Sequence, residues 1–245
     1  MVALSAADLL SVWERGFGQP LVQQGLLLLA ASFPETPPED LAHLSIGQRN
    51  SCLLSLREQV FGPKLVSVAV CPSCNRELQL TFNTAEVRTR RCETTGDMLT
   101  LAVDDYEVRF RVPDSTDLLA IAGSQDISAS RDLLLSRCLL EVRHQGQEQK
   151  VEQLPQQVVD AVMERMAQAD SQADVQLNLD CPECGQNWSV AFDIVSYFWR
   201  EIHSWAQRTL HDVHLLASAY GWRESDILTM SPLRRQCYLE MLGGF

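Results

Sequence analysis

Residues 71–83 read C-P-S-C-N-R-E-L-Q-L-T-F-N, and residues 181–193 read C-P-E-C-G-Q-N-W-S-V-A-F-D. Each stretch opens with a C-P-x-C pair and continues with apolar residues at alternate positions. Leu78 matches Trp188, Leu80 matches Val190 and Phe82 matches Phe192. A period of two means a strand. Directly after the second cysteine of each pair stand Asn75 and Gly185. These residue types enter the left-handed backbone region most readily, as a tight turn aiming two thiolates at one ion requires. Upstream, Val66, Val68 and Val70 alternate into the first pair, and Val175–Leu179 leads into the second. Their apolar phases differ, so the repeat is expected to cover only the turn and the outgoing strand.

Two C-x-x-C turns supply four thiolates, the full complement of a closed tetrahedral zinc site. Cys71, Cys74, Cys181 and Cys184 are therefore expected to hold one structural Zn2+, with no open position for a catalytic water. The pairs are separated by 106 residues, 75 through 180. Closing so long a loop costs only logarithmically more than closing a short one. Zinc binding contributes on the order of 10 kcal/mol, enough to offset it. A thioredoxin-type pair would follow a strand and open a helix; here strands lie on both sides of each pair.

The remaining composition narrows the class. The chain has 245 residues, eight cysteines and a net charge of −12. An acidic chain repels phosphate backbones, and the basic pairs Arg90–Arg91 and Arg234–Arg235 form no stripe. The start, MVALSAADLL, has no basic leader, and the most apolar run, GLLLLAA at 25–31, is far short of the roughly 20 residues that span a bilayer. A cytoplasmic protein without membrane association is expected, and cysteines there serve metals more often than disulfides. Cys52, Cys138 and Cys237 are read as small buried hydrophobes, and Cys92, beside two arginines, as an exposed thiol.

Outward from the knuckles, the fold class is α+β. Helical N- and C-terminal parts, 1–63 and 193–245, surround a split zinc-knuckle β unit, 64–84 and 173–192, with an inserted α/β segment at 85–172. Ser5 with Asp8 and Ser45 with Gln48 form capping boxes. Pro20 opens a helix through Leu29, and Pro34, Pro37 and Pro38 mark a turn. The stretch 98–112 predicts a hairpin turning at Asp104–Asp105. Helices follow at 115–122, 128–142 and 155–169, with a polar loop at 144–153. The stripe Ile194, Phe198, Ile202, Trp205, Thr209, Val213, Leu216 and Tyr220 predicts one long helix ended by Gly221. Short helices follow at 224–229 and after Ser231–Pro232.

Other chemistry is thin. No phosphate loop, nucleophile elbow or H-E-x-x-H is present, and an enzyme is not expected, nor a small-molecule substrate. Asp104, Asp105, Asp114 and Asp117 read as turn and cap residues. His211 and His214, beside the long stripe, are read as a solvated or core-edge pair. The last helices superficially suggest helix-turn-helix binding, which the acidity argues against. Trp199 and Trp222 fall off the stripe; either an exposed anchor for a protein partner or packing against the inserted segment fits them.

With these patterns in hand, the chain resembles the baseplate hub assembly proteins of T-even-type contractile phages and related proteins of phage-tail-like contractile injection systems. The carriers are LSIGQRNSCLLSLREQVFGPKL at 44–65, both C-P-x-C knuckles, and the helical stretch at 193–242 with Tyr220-Gly221-Trp222. The resemblance implies an assembly chaperone that binds the baseplate hub or tape-measure protein. The alternative it implies is a structural subunit of the finished particle. A zinc-ribbon nucleic-acid adaptor is a third, more distant reading. Only the four cysteines carry over as site residues.

Overall fold

A computed structural model of the chain describes residues 1–89, 98–150 and 154–243. The contacts divide it into two units, Met1–Pro34 with Val195–Phe245, and Glu35–Ile194.

In the first unit, α1 (Ala6–Gly16) starts on a reciprocal Ser5–Asp8 capping box. The second helix, α2 (Leu21–Ser32), runs three residues beyond the expected end. The long helix α9 (Ile194–Tyr220) has the predicted length, and Gly221 caps it at φ 67° with its N–H on the Ala217 carbonyl. Phe198, Ile202, Thr209, Val213 and Leu216 are buried along its stripe, while Tyr220 is exposed. Trp199 resolves differently from both expectations. It is buried against α1, where a Cβ on Gly16 would collide with its Cη2. Only a glycine lets the indole lie there. Beside it, Trp13 Nε1 donates to His203 Nδ1 at 3.1 Å. Next come α10 (Glu224–Leu228) and α11 (Pro232–Gly243). Val213, Leu216 and Ile227 anchor a small core against Trp222, Tyr238 and Leu239. Trp222 stacks on Tyr220 at 4.5 Å and meets Tyr238 edge-on at 4.8 Å. Cys237 faces solvent, contrary to the buried role expected for it.

In the second unit, α3 (Pro38–Ala42) leads to α4 (Ile46–Phe61), which opens on the expected Ser45–Gln48 box and ends at Gly62, φ 83°. Two antiparallel hairpins carry the knuckles. One is β1 (Lys64–Val70) with β2 (Glu77–Asn83); the other is β7 (Val175–Asp180) with β8 (Asn187–Phe192). After β2 comes α5 (Thr84–Val87).

The inserted segment holds more sheet than expected. The hairpin β3 (Leu99–Val103) and β4 (Tyr106–Phe110) turns at Asp104, φ 50°. The helices α6 (Ser115–Ile121) and α7 (Ile127–Cys138) follow, and α7 stops where the pattern predicted four more residues. The chain instead forms β5 (Leu139–His144), which pairs with β4, and β6 (Gln147–Glu148), which extends the sheet into part of the expected polar loop. The run L-L-L-S-R-C-L-L-E-V looks continuous at helical spacing. Pairing with β4 buries Leu139 and Val142 on one face, and that tertiary gain overrides local preference. Against this sheet packs α8 (Gln156–Ala169), with Val158, Val162 and Met166 meeting Val108, Phe110 and Val142. Cys92 and the Arg90–Arg91 pair lie outside the described residues.

Candidate metal centre

Each knuckle is built by the same backbone. The Cys71 N–H donates to the Arg76 carbonyl at 2.9 Å, and the Asn75 N–H to the Cys71 carbonyl at 3.0 Å. In the second knuckle the Cys181 N–H reaches the Gln186 carbonyl at 2.9 Å, and the Gly185 N–H the Cys181 carbonyl at 2.9 Å. Asn75 and Gly185 have φ of 55° and 72°. The left-handed geometry expected after the second cysteine is present in both.

The incoming strands also match, which corrects the expectation that the repeat covers only the turn and the outgoing strand. Val70 pairs with Glu77, and Asp180 with Asn187, so each six-residue knuckle closes in the same register. Leu65, Ser67 and Ala69 point inward, and so do Val175, Leu177 and Leu179 at the equivalent places. The phases seemed to differ because Val66, Val68 and Val70 are apolar yet face outward, at 44%, 62% and 53% exposure. Phe82 and Phe192, paired by sequence similarity, touch edge-on with centroids 5.7 Å apart. The hairpins therefore meet at their aromatic ends as well as at their cysteine tips.

At those tips all four Sγ atoms lie within 4.8 Å of one another. Cys71 Sγ stands 3.6 Å from Cys184 Sγ, and Cys74 Sγ 3.6 Å from Cys181 Sγ. A disulfide needs about 2.05 Å. Four sulfurs about 2.3 Å from a tetrahedral ion stand about 3.8 Å apart. The cluster fits a metal ion and not a pair of bonds. Cys71 and Cys181 are buried, while Cys74 and Cys184 are exposed. Arg76 and Glu183 face each other across the knuckles at 3.7 Å, both well exposed.

Electrostatics favour the same reading. Burial raises the Cys71 thiol, but the amides of Cys74 and Ser73 outweigh it and bring it down to about 7. The Arg76 amide lowers Cys74, yet burial and the neighbouring cysteine sulfurs push it up to about 12. One thiol is eased toward ionisation, and its neighbour is held back by burial and by the sulfurs beside it. A bound dication removes that conflict. The four cysteines could hold such an ion, with every coordination position filled by protein.

Elsewhere the expected weak sites stay weak. His211 and His214 are exposed on α9. Among the described residues, the metal-capable grouping is the four cysteines. Asp114 caps α6 through the amides of Thr116 and Asp117, as expected. Asp117 does more: it has no exposed surface and accepts from Arg111 at 2.6 and 2.9 Å and from Arg137 Nε at 2.7 Å. A second polar latch was also missed. Asp170 accepts from the Gly47 N–H at 2.8 Å and from Ser45 Oγ at 3.1 Å. Gln172 binds the Asn50 side chain, the Val87 carbonyl and the Thr89 N–H. The latch ties the start of α4 and the end of α5 to the end of α8. Its residues stand more than 80 positions apart, and no local pattern marks them.

Fold and site together define a mixed α+β protein in which a four-cysteine centre joins two hairpins across a long insertion. The family model of the T4 bacteriophage base plate protein matches residues 27–199. The chain belongs to that family. The match takes in both knuckles and the 44–65 stretch and stops at Trp199, so most of the C-terminal helical stretch lies outside it. No curated protein and no solved structure matches the chain.

Proposed function

We propose that this protein is a non-enzymatic assembly factor that binds the baseplate hub or tape-measure protein while a contractile tail or injection system is built. Family membership carries the reading, since it ties the chain to the baseplate. The centre supports the non-enzymatic part: four protein thiolates leave a zinc ion no open position for substrate or water. The ion is proposed to be one structural Zn2+, held by Cys71, Cys74, Cys181 and Cys184. Surface character supports a protein partner. Ile127 and Leu133 on α7, Leu140 on β5, Met163 on α8, and Leu233 and Met241 on α11 are all exposed. No helix among the described residues is long and apolar enough to cross a membrane.

The description of the matched family favours a second reading, a subunit of the finished baseplate. Deleting the gene and analysing purified particles separates the two. An assembly factor leaves wild-type particles without stoichiometric amounts of this chain, while its deletion stops complete baseplates from forming. Stoichiometric presence in mature particles refutes the chaperone reading and establishes the subunit. Normal particles after deletion overturn both.

A further inference from the structure

The two knuckle hairpins share one backbone and one register, yet their outer faces differ in chemistry. Val66, Val68 and Val70 on β1 stand where Gln176, Asn178 and Asp180 stand on β7. All six are exposed and face outward. The second hairpin shows that polar residues at these places build the same turn and the same pairing. Folding therefore does not require the three valines. A row of β-branched residues on an exposed strand face invites association, and soluble chains normally interrupt such rows with charge or polarity. Burial against a partner turns that liability into a binding contribution.

The rest of the face decides which partner fits. Lys64 opens β1, and Glu77, Gln79 and Thr81 face outward on β2. This surface carries one cation and one anion, so it is neutral in a chain whose net charge is −12. A second copy can approach here without meeting like charge, whereas Asp180 on the other hairpin would repel its own image. Lys64 and Glu77 lie at opposite ends of the hairpin, Lys64 beside Asn83 and Glu77 beside Val70. The valine row is symmetric about Val68. When two such faces meet across a two-fold axis with β1 antiparallel to β1, Val68 lies on Val68, and Val66 lies on Val70 of the second copy. Lys64 then extends just past that Val70, within reach of the Glu77 beside it. The axis forms this ion pair twice. Parallel packing would leave the two charges at opposite ends.

We propose that the outer face of the β1–β2 hairpin is a self-association surface. On it a second copy of this chain packs antiparallel, valines on valines and each Lys64 on the other's Glu77. Strands of seven residues, at about 3.3 Å per residue and about 4.8 Å apart, give a footprint of roughly 200 Å2. A standard interface buries about 800 Å2 per partner, so this dimer is weak and forms where the chain is concentrated.

Sedimentation velocity of the full chain in reducing buffer, from about 10 μM to about 1 mM, tests it. The wild type is expected to shift from monomer toward dimer across that range, and monomer throughout overturns the proposal. The triple variant V66Q/V68N/V70D gives the first hairpin the outer residues of the second. It is expected to stay monomeric with a thermal melt close to that of the wild type. Association as strong as that of the wild type overturns the proposal. K64E is expected to weaken the dimer at least about fivefold, because each ion pair becomes a repulsion. K64E/E77K restores both pairs with their signs exchanged and is expected to recover wild-type association. An unweakened K64E, or a double variant that does not recover, overturns the proposal. Should the triple variant not fold, the charge exchange decides.

Discussion

Asp117 is enclosed between the guanidinium groups of Arg111 and Arg137. Burial alone would raise its carboxyl, but hydrogen bonds from Arg111, the Asp114 amide and Arg137 bring it down to about 2 from an ordinary 3.8. A carboxyl depressed on folding contributes stability that is fully present above its unfolded value and lost as pH falls through its folded one. Urea midpoints measured between pH 5 and pH 2 should therefore fall, and less so in Asp117→Asn. At neutral pH that variant should be destabilised by roughly 2–4 kcal/mol, because two half-buried arginines lose their partner. Equal acid sensitivity in both proteins would show that Asp117 does not carry the effect. At the centre, Cys71→Ser removes the most buried of the four sulfurs. Its metal content should drop to a small fraction of the wild-type value, and unchanged content would exclude the shared site. Little of the Asp117 pairing could be anticipated. Its capping role follows from the D-x-x-D spacing, whereas Arg137 stands 20 positions away with no pattern linking the two.

The two knuckle hairpins are the elements on which the sequence reading worked best and where its one error in phase arose. Asn75 and Gly185 were legible because left-handed backbone is restricted to few residue types. The incoming strand was misread because periodicity reports which positions are apolar, not which face is covered, and Val66, Val68 and Val70 stand exposed. The Phe82–Phe192 contact should show a coupling of about 0.5–1.5 kcal/mol in a double-mutant cycle of alanine variants. Zero coupling would mean that the hairpins do not meet at that end. Gly185→Ala, at φ 72°, should cost about 1 kcal/mol, whereas Asn75→Gly should be close to neutral. Thermal melts of the two variants make the comparison. Long helices were legible for a different reason: caps and an unbroken stripe define α9 without tertiary help. The boundary between α7 and β5 was hidden because only pairing with β4 distinguishes the strand.

Over the whole molecule, the cysteine tips and the Asp170–Gln172 latch are among the ties that close the long insertion of the second unit. Gly47 shows how tightly the latch closes, since a Cβ there would collide with the Asp170 carboxylate. Gly47→Ala should lower stability by about 1–3 kcal/mol by overpacking a buried site, read from chemical denaturation. A wild-type midpoint would mean that the latch can open without cost. A metal tie at the cysteine tips is testable without mutation: a strong chelator should lower the melting temperature of the wild type and leave that of Cys71→Ser nearly unchanged. The most direct measurement is zinc K-edge X-ray absorption on the purified chain, with metal quantified per protein. One zinc per chain with four sulfur neighbours at about 2.3 Å is the expected result. Absence of stoichiometric metal, or a shell containing nitrogen or oxygen, would contradict a closed four-cysteine clamp.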